Sequence, residues 1–84
     1  MHCYDLNLSQ TFTVVCHIRR DLVSDSITES EANVAMGLLI VLRDALPDHA
    51  CRLRRLVDHT LTYCVERWPF IHGDTEQFSV KVTA

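Results

Sequence analysis

Hydrophobic positions along the chain fall into three kinds of pattern. Over residues 4–18 they alternate. Tyr4, Leu6, Leu8, Phe12, Val14, Cys16 and Ile18 hold even positions, while Asp5, Asn7, Ser9, Thr11, Thr13 and His17 hold odd ones. Only Gln10 and Val15 break the alternation. A period of two, with β-formers from Thr11 to Ile18, predicts strand. A two-residue hairpin loop at Ser9-Gln10 would shift the apolar set to odd positions, and it stays on even ones. The pattern therefore fits a long bent strand, or a hairpin with an odd-length loop. A helix over 9–23 competes, with Phe12, Val15, Ile18 and Leu22 near helical spacing.

After a connection at 19–27, Thr28-Glu29-Ser30-Glu31 reads as a capping box, a hydroxyl followed three residues later by Glu. Its acidic first turn suits the helix dipole. The helix is expected from about Glu29 to Leu46, where Pro47 ends it. Pro47 then suits the first turn of a second helix running to about Arg67 or Trp68, with Pro69 as its stop. So short a connection implies an antiparallel helical hairpin. Phe70–Glu76 is a loop containing Gly73-Asp74. Residues 77–83 alternate again, with Phe78, Val80 and Val82 on one side, and predict a short strand.

These elements give an α+β expectation for residues 1–84 as a single domain. Its two layers are a helical hairpin and a small antiparallel sheet formed by the N- and C-terminal strands, in the order β(β)ααβ. If residues 9–23 are helical instead, the alternative is an all-α three-helix bundle. The 84-residue length allows one domain, and 48% apolar residues mark it as globular.

The two central helices differ. In the second, Ala50, Leu53, Leu56, Val57, Leu61, Cys64 and Trp68 form one stripe opposite Arg52, Arg54, Arg55, Asp58, His59, Thr62 and Glu66, an ordinary amphipathic pattern. In the first, Val34, Ala35, Leu38, Leu39, Val41, Leu42, Ala45 and Leu46 make a wide apolar face, and Met36 and Ile40 lie beyond it among Asn33, Arg43 and Asp44. That surplus needs cover from the 19–27 connection or from a second molecule. Met36 and Ile40 are therefore the first candidates for a partner interface, with Trp68, Phe70 and the Arg52/Arg55 face as further ones. Open edges of a small sheet also invite self-association.

Chemistry has little to build on. The four cysteines, Cys3, Cys16, Cys51 and Cys64, show no CxxC spacing, and the five histidines add no HxxxH. The adjacent His2-Cys3 and Cys16-His17 would point to opposite faces of a strand. No metal site and no cofactor are therefore expected. Cys51, near a helix N-terminus and one turn before Arg55, is the best candidate for a reactive thiol, but it lacks a base at a suitable position. No nucleophile elbow, phosphate loop or HExxH motif occurs, and only two glycines are present. An enzyme is not expected.

A net charge of −3 argues against a chain that coats nucleic acid, although it does not exclude a local basic patch on the Arg52/Arg54/Arg55 helix face. The N-terminus lacks the basic start and apolar run of a secretory signal. The longest apolar stretch, Val34 to Leu42, spans nine residues, well short of the ~20 that cross a bilayer. Free thiols and a cytoplasmic location follow as expectations. The functional expectation is a small non-enzymatic regulator, adaptor or inhibitor that acts by protein–protein contact, as a homodimer, with no membrane association. The alternatives are a nucleic-acid-binding regulator using Arg52, Arg54 and Arg55, and a thiol- or metal-based sensor.

Overall fold

The structure, a computed structural model, describes the backbone of residues 2–83 and the side chains of residues 7–78. The alternation expected at Tyr4, Leu6, Val80 and Val82, and the state of Cys3, concern side chains outside that range. In chain order the elements are β1 (His2–Asn7), α1 (Leu8–Leu22), α2 (Glu29–Ala45), α3 (Cys51–Arg67) and β2 (Phe78–Thr83).

The expected two-layer α+β fold is overturned at α1. Residues 8–22 form a helix, not a strand, and the three-helix alternative describes the body of the protein. The cause is local. Asn7 is an N-cap whose side-chain oxygen accepts from the Gln10 backbone N–H at 2.7 Å, and Gln10 reaches back to the Asn7 N–H. Leu8, Thr11, Val15, Ile18 and Leu22 then fall on one helical face, at the 3.6-residue period. Thr11 is buried on that face because its hydroxyl donates to the Asn7 carbonyl at 2.8 Å. The even-numbered residues that suggested a strand are dispersed: Phe12 and Cys16 are exposed, while Ile18 is half-buried.

Among the described side chains, the buried core is drawn from the helices and their caps. Val15 and Leu22 of α1 meet Ala32, Met36, Leu39 and Leu42 of α2, and Leu53, Val57, Leu61 and Cys64 of α3. The sheet does not form a layer under the α2–α3 pair; it lies against α2 and α1 through β2. β1 and β2 form a two-stranded ribbon with His2 opposite Phe78 and Asn7 opposite Thr83, and it is parallel, not antiparallel. Two intervening helices would return the chain in the opposite direction; three return it in the same one.

The α2–α3 hairpin follows the sequence closely. Thr28 caps α2, accepting from the Glu31 N–H at 3.1 Å, while the Glu31 carboxylate accepts from the Thr28 N–H at 3.1 Å and hydroxyl at 2.8 Å. These hydrogen bonds, the hydroxyl one foremost, hold the Glu31 carboxyl below its ordinary pKa. α3 starts later than Pro47. Residues 47–50 make a turn closed by the Ala50 N–H on the Pro47 carbonyl at 3.0 Å, and Cys51 opens the helix.

Two arginines tie helix ends together. Arg54 donates to the Leu46 carbonyl at the end of α2, at 3.0 Å. Arg67 donates to the Leu22 carbonyl at 2.7 Å, the Ser24 carbonyl at 3.1 Å and the Tyr63 hydroxyl at 3.0 Å. Its guanidinium also stacks 4.5 Å from the centre of the Trp68 ring. Both satisfy carbonyls that a helix C-terminus leaves without partners.

The 69–77 segment crosses back over α2. The Gly73 N–H donates to the Asn33 side chain at 2.9 Å, and the Asp74 N–H to the Asn33 carbonyl at 3.0 Å. Gly73 has φ of +87°, a conformation that favours glycine. This segment covers the surplus on α2 that seemed to need another molecule: Met36 is buried, and Ile40 is half-buried against Gly73.

Candidate functional site

α1 and α3 run side by side in the same direction. Leu8 and Phe12 border one groove with His49–Leu53 at one end. Arg19 and Val23 border a cleft with His59, Thr60 and Tyr63 nearer the other. At 100° per residue, Phe12, Cys16, Arg19, Arg20 and Val23 lie on the flank of α1 that faces α3 or the solvent beside it. Arg52, Arg55 and His59 continue that surface on α3. All eight are exposed.

Four of the eight Lys and Arg residues of the chain are therefore gathered on one face: Arg19, Arg20, Arg52 and Arg55. Among the described residues the ion pairs are Arg43–Asp44 and Arg54–Asp48, each at 3.7 Å, and neither uses one of these four. Arg20 donates instead to His17 Nδ1 at 3.1 Å. Asp21 and Glu31 border a groove on the α1–α2 side, and Asp58 turns toward the opposite flank of α3. Glu66 shares the stripe of Arg55 and His59, two turns beyond His59, and makes no ion pair with the four arginines among the described residues.

The start of α3 adds to this field. Ala50 provides no side-chain cap, and the first turn holds no acidic residue. The backbone N–H groups there are the positive end of the helix dipole, beside Arg52.

The residues singled out from sequence are scattered by the fold. Arg52 and Arg55 stand on the face just described. Arg54 is half-buried and turned to Leu46, so the apparent triplet contributes two surface cations and one structural one. Trp68 is buried, edge-on to Tyr63 with ring centres 6.4 Å apart. Phe70 is 87% exposed, away from the arginines at the α2 end of the 69–77 segment, where it borders a groove with Glu29, Ser30, Asn33 and His72. Met36 belongs to the core.

Cys51 is exposed, and its thiol donates to the Asp48 carbonyl at 3.5 Å. No hydrogen bond joins it to His49 among the described residues. Cys16 and Cys64 are free thiols as well. Burial pushes the Cys64 thiol up to about 11, against the smaller opposing pull of Arg67. Among the described residues no three His, Cys, Asp or Glu side chains gather where they could hold a metal ion. No helix among those residues is long and apolar enough to cross a membrane.

The sequence shows Arg19-Arg20 as a basic pair separate from the α3 arginines; that the two sets meet was not legible, because a strand at 11–18 would not have laid the pair beside α3. The signal was present in Asn7 and Gln10, three residues apart, which open α1. Comparison of the chain with models of known protein families, with curated proteins and with solved structures finds no match.

Proposed function

We propose that this domain is a small non-enzymatic regulator that binds nucleic acid through the α1–α3 face. One observation carries the reading: a chain of net charge −3 places four exposed arginines, free of carboxylate partners among the described residues, on a single surface. Exposed arginines normally pair with nearby carboxylates on a helix surface. Segregating them costs repulsion, and a polyanion offsets it. Arginine suits phosphate because its planar fork donates two parallel hydrogen bonds. The uncapped start of α3 supplies backbone N–H groups for a further phosphate.

The contacts named are to backbone phosphate, so they position the domain without selecting a sequence. Phe12, half-exposed at the edge of the face, offers an aromatic surface on which an unpaired base can stack. If all four arginines neutralise phosphates on a duplex, the logarithm of the affinity falls with the logarithm of salt concentration at a slope of roughly −3.6.

Fluorescence anisotropy with labelled duplex and single-stranded oligonucleotides, over a series of salt concentrations, tests this. Arg52→Glu with Arg55→Glu should abolish binding and leave the helical signal intact. Absence of binding to either oligonucleotide at low salt would reject the reading. The same face, with Phe12 and Val23 between its arginines, also fits an acidic, partly apolar protein segment. Recovery of a protein partner that survives nuclease, together with no oligonucleotide binding, would move the function to protein–protein regulation.

A further inference from the structure

The β1–β2 ribbon has two strands of six residues each among the described residues, and it is supported from one side, where β2 packs on helices, rather than by the width of a sheet. Parallel pairing is the weaker kind and is normally found well inside a larger sheet. The two edges are not equivalent. β2 lies against α2 and α1 as well as β1, whereas among the described residues β1 touches β2 and the helix it leads into and no other element. The outer edge of β1 is therefore an open row of backbone donors and acceptors.

We propose that β1 pairs antiparallel with β1 of a second copy, giving a two-fold dimer joined by a four-stranded sheet in the order β2-β1-β1′-β2′. The occupant is argued from symmetry and charge. In an antiparallel pair, directly opposed residues alternate between hydrogen-bonded and non-hydrogen-bonded sites. A two-fold axis exchanges residue i of one copy with residue i of the other. A register setting 4 against 5′ would make the neighbouring pairs 4–5′ and 5–4′ equivalent, yet neighbours must be of different kinds. So one residue must stand opposite its own copy.

Two axes pair five residues. Placed at Asp5, the axis sets two carboxylates directly opposite each other, which an antiparallel pair disfavours. Placed at Tyr4, it pairs His2 with Leu6′ and Cys3 with Asp5′, and no charge meets its like. Axes at Cys3 or Leu6 pair only three residues. β1 is thus complementary to itself in one register, with Tyr4 on the axis. This surface is separate from the arginine face, so the two proposals can fail independently.

Sedimentation equilibrium of the full chain from about 1 to 200 µM should show a monomer–dimer equilibrium, the range over which modest interfaces associate. A monomer at every concentration overturns the proposal. Cys3 faces Asp5′ twice in the dimer, so Cys3→Lys should tighten it and Cys3→Asp should loosen it. Each shift should be about two- to thirty-fold in dissociation constant, from two cross-strand pairs. Shifts of the same sign, or none, overturn the register, because a fold defect would weaken the dimer in both variants. A third variant locates the axis: Tyr4→Cys, with Cys3, Cys16 and Cys51 changed to Ser, should form a disulfide dimer on mild oxidation. A dimer that cross-links there no faster than a matched Ser26→Cys control has its interface elsewhere, and the proposal falls.

Discussion

Gly37→Ala gives a test whose sign depends on the tertiary structure. Gly37 sits in the middle of α2, where glycine is a poor helix former. In an exposed helix this substitution would stabilise the protein by about 0.8–1 kcal/mol. Here an added Cβ would lie 1.8 Å from the Asp74 carbonyl oxygen and 2.3 Å from its carbonyl carbon. Backbone cannot yield as a flexible side chain can, so the 69–77 segment must lift away.

Lifting it breaks the Gly73 N–H bond to Asn33 Oδ1 and the Asp74 N–H bond to the Asn33 carbonyl. Each such bond contributes about 1 kcal/mol net. The move also uncovers apolar surface around Ile40 and Ile71, roughly the burial of one large side chain, or about 1.5–3 kcal/mol. Subtracting the gain in helix propensity leaves a loss of roughly 2.5–4 kcal/mol. Urea unfolding followed by far-UV circular dichroism measures it. Asn33→Ala alone should cost about 1 kcal/mol through its lost side-chain bond. Added to Gly37→Ala it should cost almost nothing, since that bond is already broken. A Gly37→Ala protein as stable as the parent, or more so, would refute the docking of the segment on α2.

Two further outcomes follow from the helix ends and the core. Arg67→Lys keeps the charge but cannot span the Leu22 and Ser24 carbonyls while stacking on Trp68, and should cost about 2–3 kcal/mol in urea unfolding. Cys64 should resist iodoacetamide in the native state while Cys16 and Cys51 react, as peptide mapping would show. Because burial raises the Cys64 pKa to about 11, the folded protein holds that proton above the pH at which the unfolded chain releases it. Its contribution is complete below the ordinary thiol pKa of about 8.5 and is lost as pH rises toward 11. Replacing Cys64 with Ala should flatten that alkaline decline in the urea midpoint.

The legible parts of the fold were those specified by neighbouring residues. The Thr28–Glu31 box, Pro47 and Pro69 each act within one turn of helix, and they marked the α2–α3 hairpin to within a few residues. α1 was obscured because Phe12, Val14 and Cys16 superimpose a two-residue rhythm on the 3.6-residue one carried by Leu8, Thr11, Val15, Ile18 and Leu22. A buried threonine also scores as polar until its hydroxyl is seen bonded to the Asn7 carbonyl. Once α1 is a helix, the number of reversals between β1 and β2 changes, and the direction of strand pairing changes with it. The cover over Met36 and Ile40 was hidden for a different reason. It depends on Asn33, Gly37 and Gly73 meeting across forty residues of chain, and no local pattern encodes such a meeting.

The same distinction governs the candidate site. Arg52, Arg54 and Arg55 looked like one cluster because they are adjacent in sequence, yet the helix and its neighbours divide them by role. Arg54 and Arg67 serve the ends of α2 and α1, where carbonyls need donors. What remains is a set whose members share no structural duty among the described residues: Arg19 and Arg20 from one helix, Arg52 and Arg55 from another. A charge that stabilises the fold is visible by its partner. These four lack a carboxylate partner among the described residues, and Asp21 and Asp58 turn away from them, which leaves Glu66 near the C-terminus of α3 as the acidic residue on the Arg55–His59 stripe. Spreading them among the acidic residues would lower the repulsion of the folded state. On the proposed reading an outside anion completes the arrangement, and the salt slope and the Arg52/Arg55 reversal test that completion directly.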